Sequence, residues 1–416
     1  MNIWLVYPNG SLPGEGLRPD RAFMISEALV SAGHEVTWWA SLFNHTTKKF
    51  RSKEDITISP KFTIRPVQTN EYKSHISFKR IQSENEYSRQ LYLKAQKYKS
   101  PDIIIMSDPA LFRSKSILKL VEEKNTLLVL DILDLWPELF HIIFPKFFSK
   151  LGNIMFAGLY LRRKSLFRKA DAIFAVSESY LDLAKQIAPD LSKDYMSTVY
   201  YGINLEKARL VEKKPTSPPK SLQNITRNKG ELLAIYASSL GNNYDLITLM
   251  EAMRLLEKIN FNLKVLIAGT GPLEDYVIDF IKKNSLKQLV YIGNPDLSEM
   301  ISIFSYCDFG LSMYVKGSTV TMPIKAYNYF AAGLPIVNSL DGELSDYLVK
   351  YDAGLNFEPE NVQSLVDILQ LICSNPIKLK TMAKNSYKLA SLFDEKIQYS
   401  KVIKLVDKLL IKKHNR

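Results

Sequence analysis

The segment Met322-Pro-Ile-Lys-Ala-Tyr-Asn-Tyr-Phe-Ala-Ala-Gly-Leu-Pro-Ile-Val-Asn338 contains the signals for a helix, its end and a following strand. Pro323 suits a first helical turn, Gly333 suits the position just past the last turn, and Pro335 follows where a helix cannot continue. Ile336-Val337 then begins a short buried strand. The segment therefore predicts a helix that runs into a strand, which is the repeating unit of an α/β sheet.

The same alternation of apolar runs and helical patterns extends over almost the whole chain. In the first half, strands are predicted at Ile3–Tyr7, Glu35–Ala40, Asp102–Ser107, Thr126–Ile132 and Ala172–Val176, and helices near Arg21–Ser31, Glu84–Lys99, Leu111–Glu123, Leu151–Lys169 and Ser179–Ile187. In the second half, strands are predicted at Leu232–Ala237, Leu263–Ala268, Leu289–Ile292, Phe309–Ser312 and Pro335–Asn338, and helices near Asp245–Lys258, Leu273–Asn284, Leu297–Phe304, Met322–Ala332 and Val362–Ser374. This pattern predicts two Rossmann-like, doubly wound parallel-sheet domains.

A length of 416 residues exceeds what one ordinary core organises, so two domains are expected. Residues 213–220 are rich in Pro, Lys and Ser, which indicates an exposed linker. The predicted boundaries are 1–204 for the first domain, 205–230 for the linker and 231–393 for the second domain. A ligand cleft is expected at the carboxyl ends of both sheets.

Composition narrows the class of protein. Apolar residues make up 46% of the chain and charged residues 24%, as in soluble globular proteins. Two cysteines, Cys307 and Cys373, give neither a disulfide framework nor a metal spacing, so a reducing, cytoplasmic location is expected. The first residues lack the pattern of a signal peptide, and the sequence contains no apolar run of bilayer length.

The net charge of +12 is concentrated in residues 139–170, which hold seven basic residues and no acidic ones. Bulky apolar residues share this stretch, and the combination suits an interfacial helix on an anionic membrane. A core-packing helix with a solvated basic face is the alternative. Nucleic acid is not an expected partner, because no nucleic-acid-binding motif accompanies the charge.

The loop after the first strand is Asn9-Gly-Ser-Leu-Pro-Gly-Glu-Gly-Leu-Arg18. Around Glu15, the glycines Gly14 and Gly16 let the backbone approach a ligand closely, and Arg18 can pair with phosphate or carboxylate. The spacing is not Gly-x-Gly-x-x-Gly, so a dinucleotide site is not expected. A simple turn remains the alternative.

Two carboxylates, Asp131 and Asp134, stand at the end of a hydrophobic strand within Val129-Leu-Asp-Ile-Leu-Asp-Leu-Trp-Pro-Glu138. Side chains at that end of a parallel strand face the ligand edge of the sheet, where a carboxylate can hold sugar hydroxyls or deprotonate an acceptor. Both are candidate catalytic residues. Each could instead cap the segment that follows.

The second half offers a candidate anion site at the ends of its strands. Lys325 and Asn328 share one face of the predicted helix, whose N-terminus follows a polar loop and is suited to a phosphate. The other candidate binding residues lie in the preceding loop and in three further strand-to-helix loops: Ser318, Thr319 and Thr321, then Ser239, Gly241 and Asn242, then Gly271 and Asn294. Ordinary strand-to-helix turns would explain the glycines equally well.

Taken in order, these motifs resemble those of the family-4 glycosyltransferases, which are retaining enzymes of the GT-B fold. The string Asp134-Leu-Trp-Pro-Glu138 is similar to a subgroup that builds bacterial surface polysaccharides, and the segment from Met322 is similar to the family's donor-sugar motif. The resemblance implies two Rossmann-like domains facing a central cleft, with helix 394–416 packing back on the first domain. It also implies that the loop with Asn294 frames the nucleobase.

The resemblance implies transfer of a sugar from a nucleotide-sugar to a hydroxyl acceptor with retention of configuration. The acceptor would be a sugar or a lipid-linked molecule at the inner face of the plasma membrane. No Asp-x-Asp occurs, so no metal is expected, and no cofactor is expected beyond the donor.

The sequence departs from the family at Leu133, where many members have His, and at Val320 and Asn328, where they have Glu. Asn242 and Asn243 stand where members often have Arg and Lys. Two alternatives therefore stay open: a degenerate GT-B binding or partner subunit, and a GT-B nucleotide-sugar epimerase.

Overall fold

The computed structural model describes residues 1–15, 19–74, 77–138, 149–209 and 218–414, with backbone alone for residues 149–155 and 414. The chain divides into two compact units. The first comprises Met1–Tyr201 together with Lys396–Arg416, and the second comprises Gly202–Glu395. Each unit is built on its own sheet.

The sheet of the first unit has the order β3-β4-β2-β1-β5-β6-β7-β8 in the described residues. All neighbouring strands are parallel except β3, which runs antiparallel to β4 at the edge, so the sheet is mixed there. The strands are β1 Asn2–Val6, β2 Glu35–Ser41, β3 Ile56–Ser59, β4 Phe62–Val67, β5 Ile103–Asp108, β6 Leu127–Ile132, β7 Ala172–Ala175 and β8 Met196–Thr198.

Helices cover both faces of this sheet, and each face has its own apolar core. Asp20 caps the first helix by accepting the Ala22 N–H, and Ser77 caps the second by accepting the Arg80 N–H. The second helix therefore begins before the predicted Glu84. The helices are α1 Arg21–Ser31, α2 Phe78–Ala95, α3 Ser114–Lys124, α4 Ser149–Lys169 and α5 Glu178–Ile187.

The second unit has a parallel sheet of order β11-β10-β9-β12-β13-β14 in the described residues. Its strands are β9 Leu232–Ala237, β10 Leu263–Ala268, β11 Leu289–Tyr291, β12 Phe309–Ser312, β13 Ile336–Asn338 and β14 Gly354–Asn356. Its helices are α6 Leu205–Arg209, α7 Leu246–Lys258, α8 Glu274–Lys283, α9 Leu297–Tyr306, α10 Ile324–Ala331, α11 Glu343–Tyr351, α12 Val362–Ser374 and α13 Pro376–Leu389. The strand order reverses between β9 and β12, which makes that junction the switch point of the sheet.

The last helix, α14 Glu395–His414, places Tyr399, Val402, Leu405 and Val406 in the core of the first unit. Both described ends of the predicted linker 205–230 belong to the second unit. Leu205–Arg209 forms α6, and Leu222 is buried in a short 3-10 turn at Lys220–Leu222. Parts of these ends are thus ordered helical turns, while residues 223–230 are exposed except for the half-buried Ile225.

The predicted membrane-binding stretch lies partly outside the described residues, which omit 139–148. In α4, Leu166 and Phe167 are buried in the core, and Arg163 is buried with its guanidinium on the Glu138 carboxylate. Arg163 therefore does not belong to an exposed basic face. Among the described residues, no helix is long and apolar enough to cross a membrane.

Candidate functional site

Helix α10 is fixed on the switch point of the second sheet by one tyrosine. The Tyr329 hydroxyl accepts the Ala237 N–H at 3.0 Å and donates to the Ile235 carbonyl at 3.2 Å. Its ring covers Gly310 of β12, where an added Cβ would lie 2.6 Å from the ring. A side chain at Gly310 would therefore push the helix off the sheet.

Both ends of α10 follow from the sequence. At the C-terminus, Gly333 has φ of 68°. The Gly333 N–H donates to the Phe330 carbonyl and the Leu334 N–H donates to the Tyr329 carbonyl, which is a Schellman motif. At the N-terminus, Pro323 is the cap and provides no side-chain hydrogen bond, and the first turn holds no acidic residue. The positive end of the helix is thus left without an anion from its own side chains.

Lys325 lies at this N-terminal end and is buried, with 7% of its surface exposed. Its Nζ lies over three tyrosine rings, 4.9 Å from the centroid of Tyr236, 4.8 Å from Tyr244 and 4.4 Å from Tyr314. Among the described residues, Nζ finds no hydrogen-bond partner. Burial lowers the pKa of Lys325 to about 7. The result is a buried amine without a counter-charge at the switch point.

Three of the predicted ligand loops meet at the carboxyl ends of β9, β10 and β11. The Gly269 N–H donates to the Gly293 carbonyl at 2.7 Å, and the Leu240 N–H donates to the Thr270 carbonyl at 2.9 Å. Gly269 and Gly271 must be glycines, because a Cβ there would lie 1.9 Å from the Ser238 oxygen and 2.4 Å from the Leu240 oxygen. The glycines thus hold the loops together.

The predicted binding residues on these loops have different exposures. Ser239, Asn242 and Asn294 are exposed, and Gly241 is half-buried. The exposed side chains are neutral, so Lys325 is the basic side chain among the described residues predicted for this edge.

The loop before α10 is half-buried at Ser318, Thr319 and Thr321. The Ser318 hydroxyl accepts the Val320 N–H at 3.3 Å, and the Thr321 carbonyl accepts the Leu344 N–H at 3.0 Å. Asn328 is half-buried on α10, three residues after Lys325. The loop is therefore held by its own backbone contacts and by the first turn of α11.

In the first unit, the predicted glycine loop is held by a carboxylate. Glu15 accepts the Leu12 N–H at 2.8 Å and two hydrogen bonds from Arg51, at 2.7 and 2.9 Å. Burial acts to raise the pKa of Glu15, but the hydrogen bonds from Arg51 and Leu12 outweigh it and leave that pKa below its usual value. Gly14 has φ of 86°, as a turn glycine does. Gly16 and Arg18 lie outside the described residues.

Asp131 is placed differently from the sequence prediction. Its carboxylate is fully buried and accepts hydrogen bonds from Arg21 and from the Tyr7 hydroxyl, at 2.7 Å each to Oδ2. Arg21 also donates to the carbonyls of Val199 and Tyr200. Because its oxygens are committed to these partners, Asp131 supports the core of the first unit and is not placed to act as a base.

Asp134 follows β6 in a partly solvent-exposed loop. Enough protein surrounds its carboxyl that desolvation raises the pKa of Asp134 to about 6, although the charge of Arg80 acts in the opposite direction. A carboxyl that titrates near neutral pH is suited to accept a proton from a hydroxyl group. Of the two predicted catalytic carboxylates, Asp134 is the better placed.

Asp108 is a neighbouring carboxylate that the sequence analysis missed. It ends β5, is buried, and accepts the Ala110 N–H at 3.0 Å. Burial raises the pKa of Asp108 to about 7; Arg163 and Arg113 oppose this, and the charge of Asp134 adds to it. The signal was present in Ser107-Asp108-Pro109, since Asp108 is the last residue of β5 and pairs in register with Ile132, the last residue of β6, two positions before Asp134. β5 also adjoins β1 at the switch point of this sheet.

The described ranges contain no group of three or more His, Cys, Asp or Glu residues arranged to hold a metal ion.

The two parallel-sheet units define a GT-B fold, and solved structures of that fold match nearly the whole chain. A sucrose-phosphate synthase from Thermosynechococcus elongatus aligns with a TM-score of 0.76 over 99% of both chains, at 15% identity. The Anabaena protein HepE in complex with UDP-glucose aligns with a TM-score of 0.66 over 98% of this chain and 100% of that one, at 14% identity. These likenesses establish the fold.

Sequence comparison gives the second unit a family match in addition to the fold. Residues 219–389 match the family described as glycosyl transferases group 1. A chitobiosyldiphosphodolichol beta-mannosyltransferase from Candida albicans is 25% identical over 240 residues, which are 56% of this chain and 51% of that protein. The chain spans about half the length of the curated relatives it matches first.

Proposed function

We propose that this protein is a glycosyltransferase that moves a sugar from a nucleotide-sugar donor to a hydroxyl acceptor. The match of residues 219–389 to group 1 glycosyl transferases supports the reaction class, and the GT-B fold supports the division into a donor-binding and an acceptor-binding unit. We assign the donor to the second unit, because that unit carries the family match and the unpaired amine of Lys325.

The observation that carries the proposal is the position of Lys325. A buried amine without a carboxylate partner costs stability, since the charged form is poorly solvated. Here it lies at the N-terminus of α10, at the switch point, where ligands of open α/β sheets bind. A diphosphate would supply the missing counter-charge both to Lys325 and to the helix end.

On the first unit, we assign to Asp134 the role of the general base that accepts the proton of the acceptor hydroxyl. Its raised pKa leaves it mostly ionised at neutral pH yet basic enough to receive a proton. Stabilisation of the leaving diphosphate is assigned to Lys325, to backbone N–H groups and to the hydroxyls of Ser318, Thr319 and Thr321. Retention of configuration and transfer without a metal ion form part of the proposal by resemblance.

The proposal also includes a cellular role in bacterial surface polysaccharide or glycolipid assembly at the inner face of the plasma membrane. The support is the Asp-Leu-Trp-Pro-Glu string and the basic, apolar stretch 139–170. The acceptor would then be a sugar carried on a lipid.

Isothermal titration with UDP, GDP, UDP-glucose and GDP-mannose tests donor binding. Lys325→Met keeps the volume of the side chain and removes its charge, so the Kd of a bound nucleotide should rise about 10- to 100-fold. Lys316→Ala is the matched control, because Lys316 lies exposed on the same loop, and its Kd should stay within about twofold of wild type. Absence of binding by all four nucleotides would refute the enzyme assignment.

A second function, a binding subunit without transfer activity, is favoured by the neutral side chains at the donor edge. Asn242 and Asn243 are exposed there, and the described loop between β9 and α7, residues 238–245, contributes no basic side chain beside Lys325. Mass spectrometry of the nucleotide released in the presence of cell-membrane lipid acceptors separates the two. Nucleotide binding without release of the diphosphate would favour the subunit.

A further inference from the structure

The groups facing the Lys325 amine differ from those around an ordinary buried lysine. Three elements pack against it and each presents a tyrosine: Tyr236 from β9, Tyr244 from the loop before α7, and Tyr314 from the loop after β12. None of the three side chains is a carboxylate or a basic group. Burial raises the pKa of both Tyr236 and Tyr314, and a phenolate on Tyr244 would raise it further, so these two remain protonated well into the alkaline range.

The helix also disfavours a charge on Lys325. An ammonium group at the N-terminus of a helix is repelled by the positive end of the helix dipole. No acidic side chain in the first turn offsets this repulsion. The tyrosine faces attract a cation, but such contacts are weaker than pairing with an opposite charge. The free site is therefore suited to a negative charge that the described part of the chain does not provide.

We propose that, above neutral pH, Lys325 is mostly neutral in the free protein and takes up a proton when a sugar nucleotide binds, so that donor binding is coupled to protonation. This inference rests on the proposed function, since it assigns the diphosphate to the same site. The step is a protonation in which the amine nitrogen accepts H⁺ from the solvent and becomes an ammonium ion paired with the diphosphate. No covalent bond to the ligand forms.

The sign of the pH dependence follows from this coupling. With a pKa of about 7, Lys325 is mostly neutral at pH 8 and mostly charged at pH 6. A bound diphosphate favours the ammonium form and raises that pKa, so binding above pH 7 must draw a proton from solution. Donor affinity should consequently fall as the pH rises above 7.

A sugar nucleotide is the correct probe because its diphosphate is esterified at both ends and exchanges no proton near neutral pH. The terminal phosphate of a nucleoside diphosphate titrates near pH 6, so its own proton exchange would add to the number of protons measured on binding. UDP-glucose and GDP-mannose are therefore titrated calorimetrically at pH 8 in HEPES, tricine and Tris. The dependence of the binding enthalpy on the ionisation enthalpy of the buffer gives the number of protons exchanged.

Wild-type protein should take up about 0.9 proton per bound sugar nucleotide at pH 8 and about 0.1 at pH 6, as a group with a pKa near 7 requires. Its Kd should rise about ninefold from pH 8 to pH 9. Lys325→Met should abolish the uptake at both pH values, whereas Lys316→Ala should retain it.

The outcomes distinguish failure of the protonation coupling from failure of the donor site. Binding with less than about 0.2 proton taken up at pH 8 would refute the coupling and leave donor binding intact. Unchanged uptake in Lys325→Met would show that another group takes the proton, which also refutes it. Failure of both sugar nucleotides to bind would refute the donor site and the coupling together.

Discussion

Arg21 and Asp131 form a buried two-point ion pair, with Nε–Oδ2 at 2.7 Å and Nη2–Oδ1 at 3.0 Å. The pair joins the first residue of α1 to β6, and the same guanidinium reaches the carbonyls of Val199 and Tyr200 after β8. Tyr399 of α14 lies beside it, with its ring centroid 5.9 Å from the guanidinium carbon. One arginine thus connects three regions of the first unit around one carboxylate.

Replacing Asp131 with Asn should destabilise the first unit, because it leaves the Arg21 charge buried without a counter-ion. Loss of one partner of a buried pair costs about 3–5 kcal/mol. Urea unfolding followed by tryptophan fluorescence measures the change. The double variant Arg21→Met with Asp131→Leu should recover part of the loss, since it removes both charges. An Asp131→Asn protein of normal stability that has lost activity would instead support the catalytic role predicted from sequence.

Asp134 should set the acidic side of the pH profile of transfer. The pKa of Asp134 is raised to about 6, so kcat/KM should increase as the pH rises through 6 and the carboxyl becomes ionised. Asp134→Asn should lower kcat by about 100- to 10,000-fold, which is the usual contribution of a general base. Initial rates measured between pH 5 and 8 test both points.

The same Asp134→Asn variant should fold normally. A carboxyl whose pKa is higher in the folded state than in the unfolded state loses stability when it ionises, so a neutral amide there removes a small penalty. A large drop in thermal stability in this variant would show that Asp134 holds the loop together, and the loss of activity would then be structural.

The two glycines after β10 should be intolerant of any side chain. Gly271→Ala places a Cβ 2.4 Å from the Leu240 oxygen, so the backbone of the neighbouring loop must shift. Such crowding costs about 1–3 kcal/mol, and it should also weaken nucleotide binding because that loop borders the site. Gly158→Ala in α4 is the control, since nothing lies within 4 Å of its added Cβ. Equal effects of the two substitutions on the Kd would contradict this account.

The sequence predicted those parts of the fold that are buried on both sides. Strands such as Leu232–Ala237 and Leu263–Ala268 were predicted with their observed bounds, because each is apolar throughout except for Lys264 in the second. The strands β3, β4, β8 and β14 were missed. β3, β8 and β14 lie at sheet edges and contain half-buried or exposed residues, and β4 contains Arg65 and Pro66. Short edge strands lack the run of apolar residues on which the prediction depends.

The site was predictable in position but not in partners. The sequence shows that Asp131 and Asp134 stand at the end of a strand. Nothing local shows that Asp131 forms an ion pair with Arg21, 110 positions away, whereas Asp134 does not. It shows equally that Lys325 opens a helix, but the three tyrosines around its amine come from separate loops and strands. Such contacts depend on tertiary packing, so a spacing argument identifies the edge of the sheet and leaves the role of each side chain open.

A stripe along α4 gives the membrane proposal a sharper test than the whole basic stretch. Leu161 is 66% exposed, and Lys164 and Arg168 follow it at intervals of three and four residues, so all three lie on one face of the helix. Arg163 is buried in an ion pair with Glu138 and should not contribute to membrane binding. An apolar residue beside two cations is the arrangement of an interfacial helix on anionic lipid.

The double variant Lys164→Glu with Arg168→Glu should therefore float less than wild type with vesicles containing anionic phosphatidylglycerol. Neutral phosphatidylcholine vesicles should bind neither the wild type nor the double variant. Each basic residue near such a surface contributes about 1 kcal/mol, so the double reversal should weaken binding by at least about tenfold. Lys282→Glu with Lys283→Glu is the matched control, because it changes the net charge equally at two exposed positions on α8. Binding that falls equally in both variants would show attraction by the overall charge of +12 and would refute docking through this face of α4.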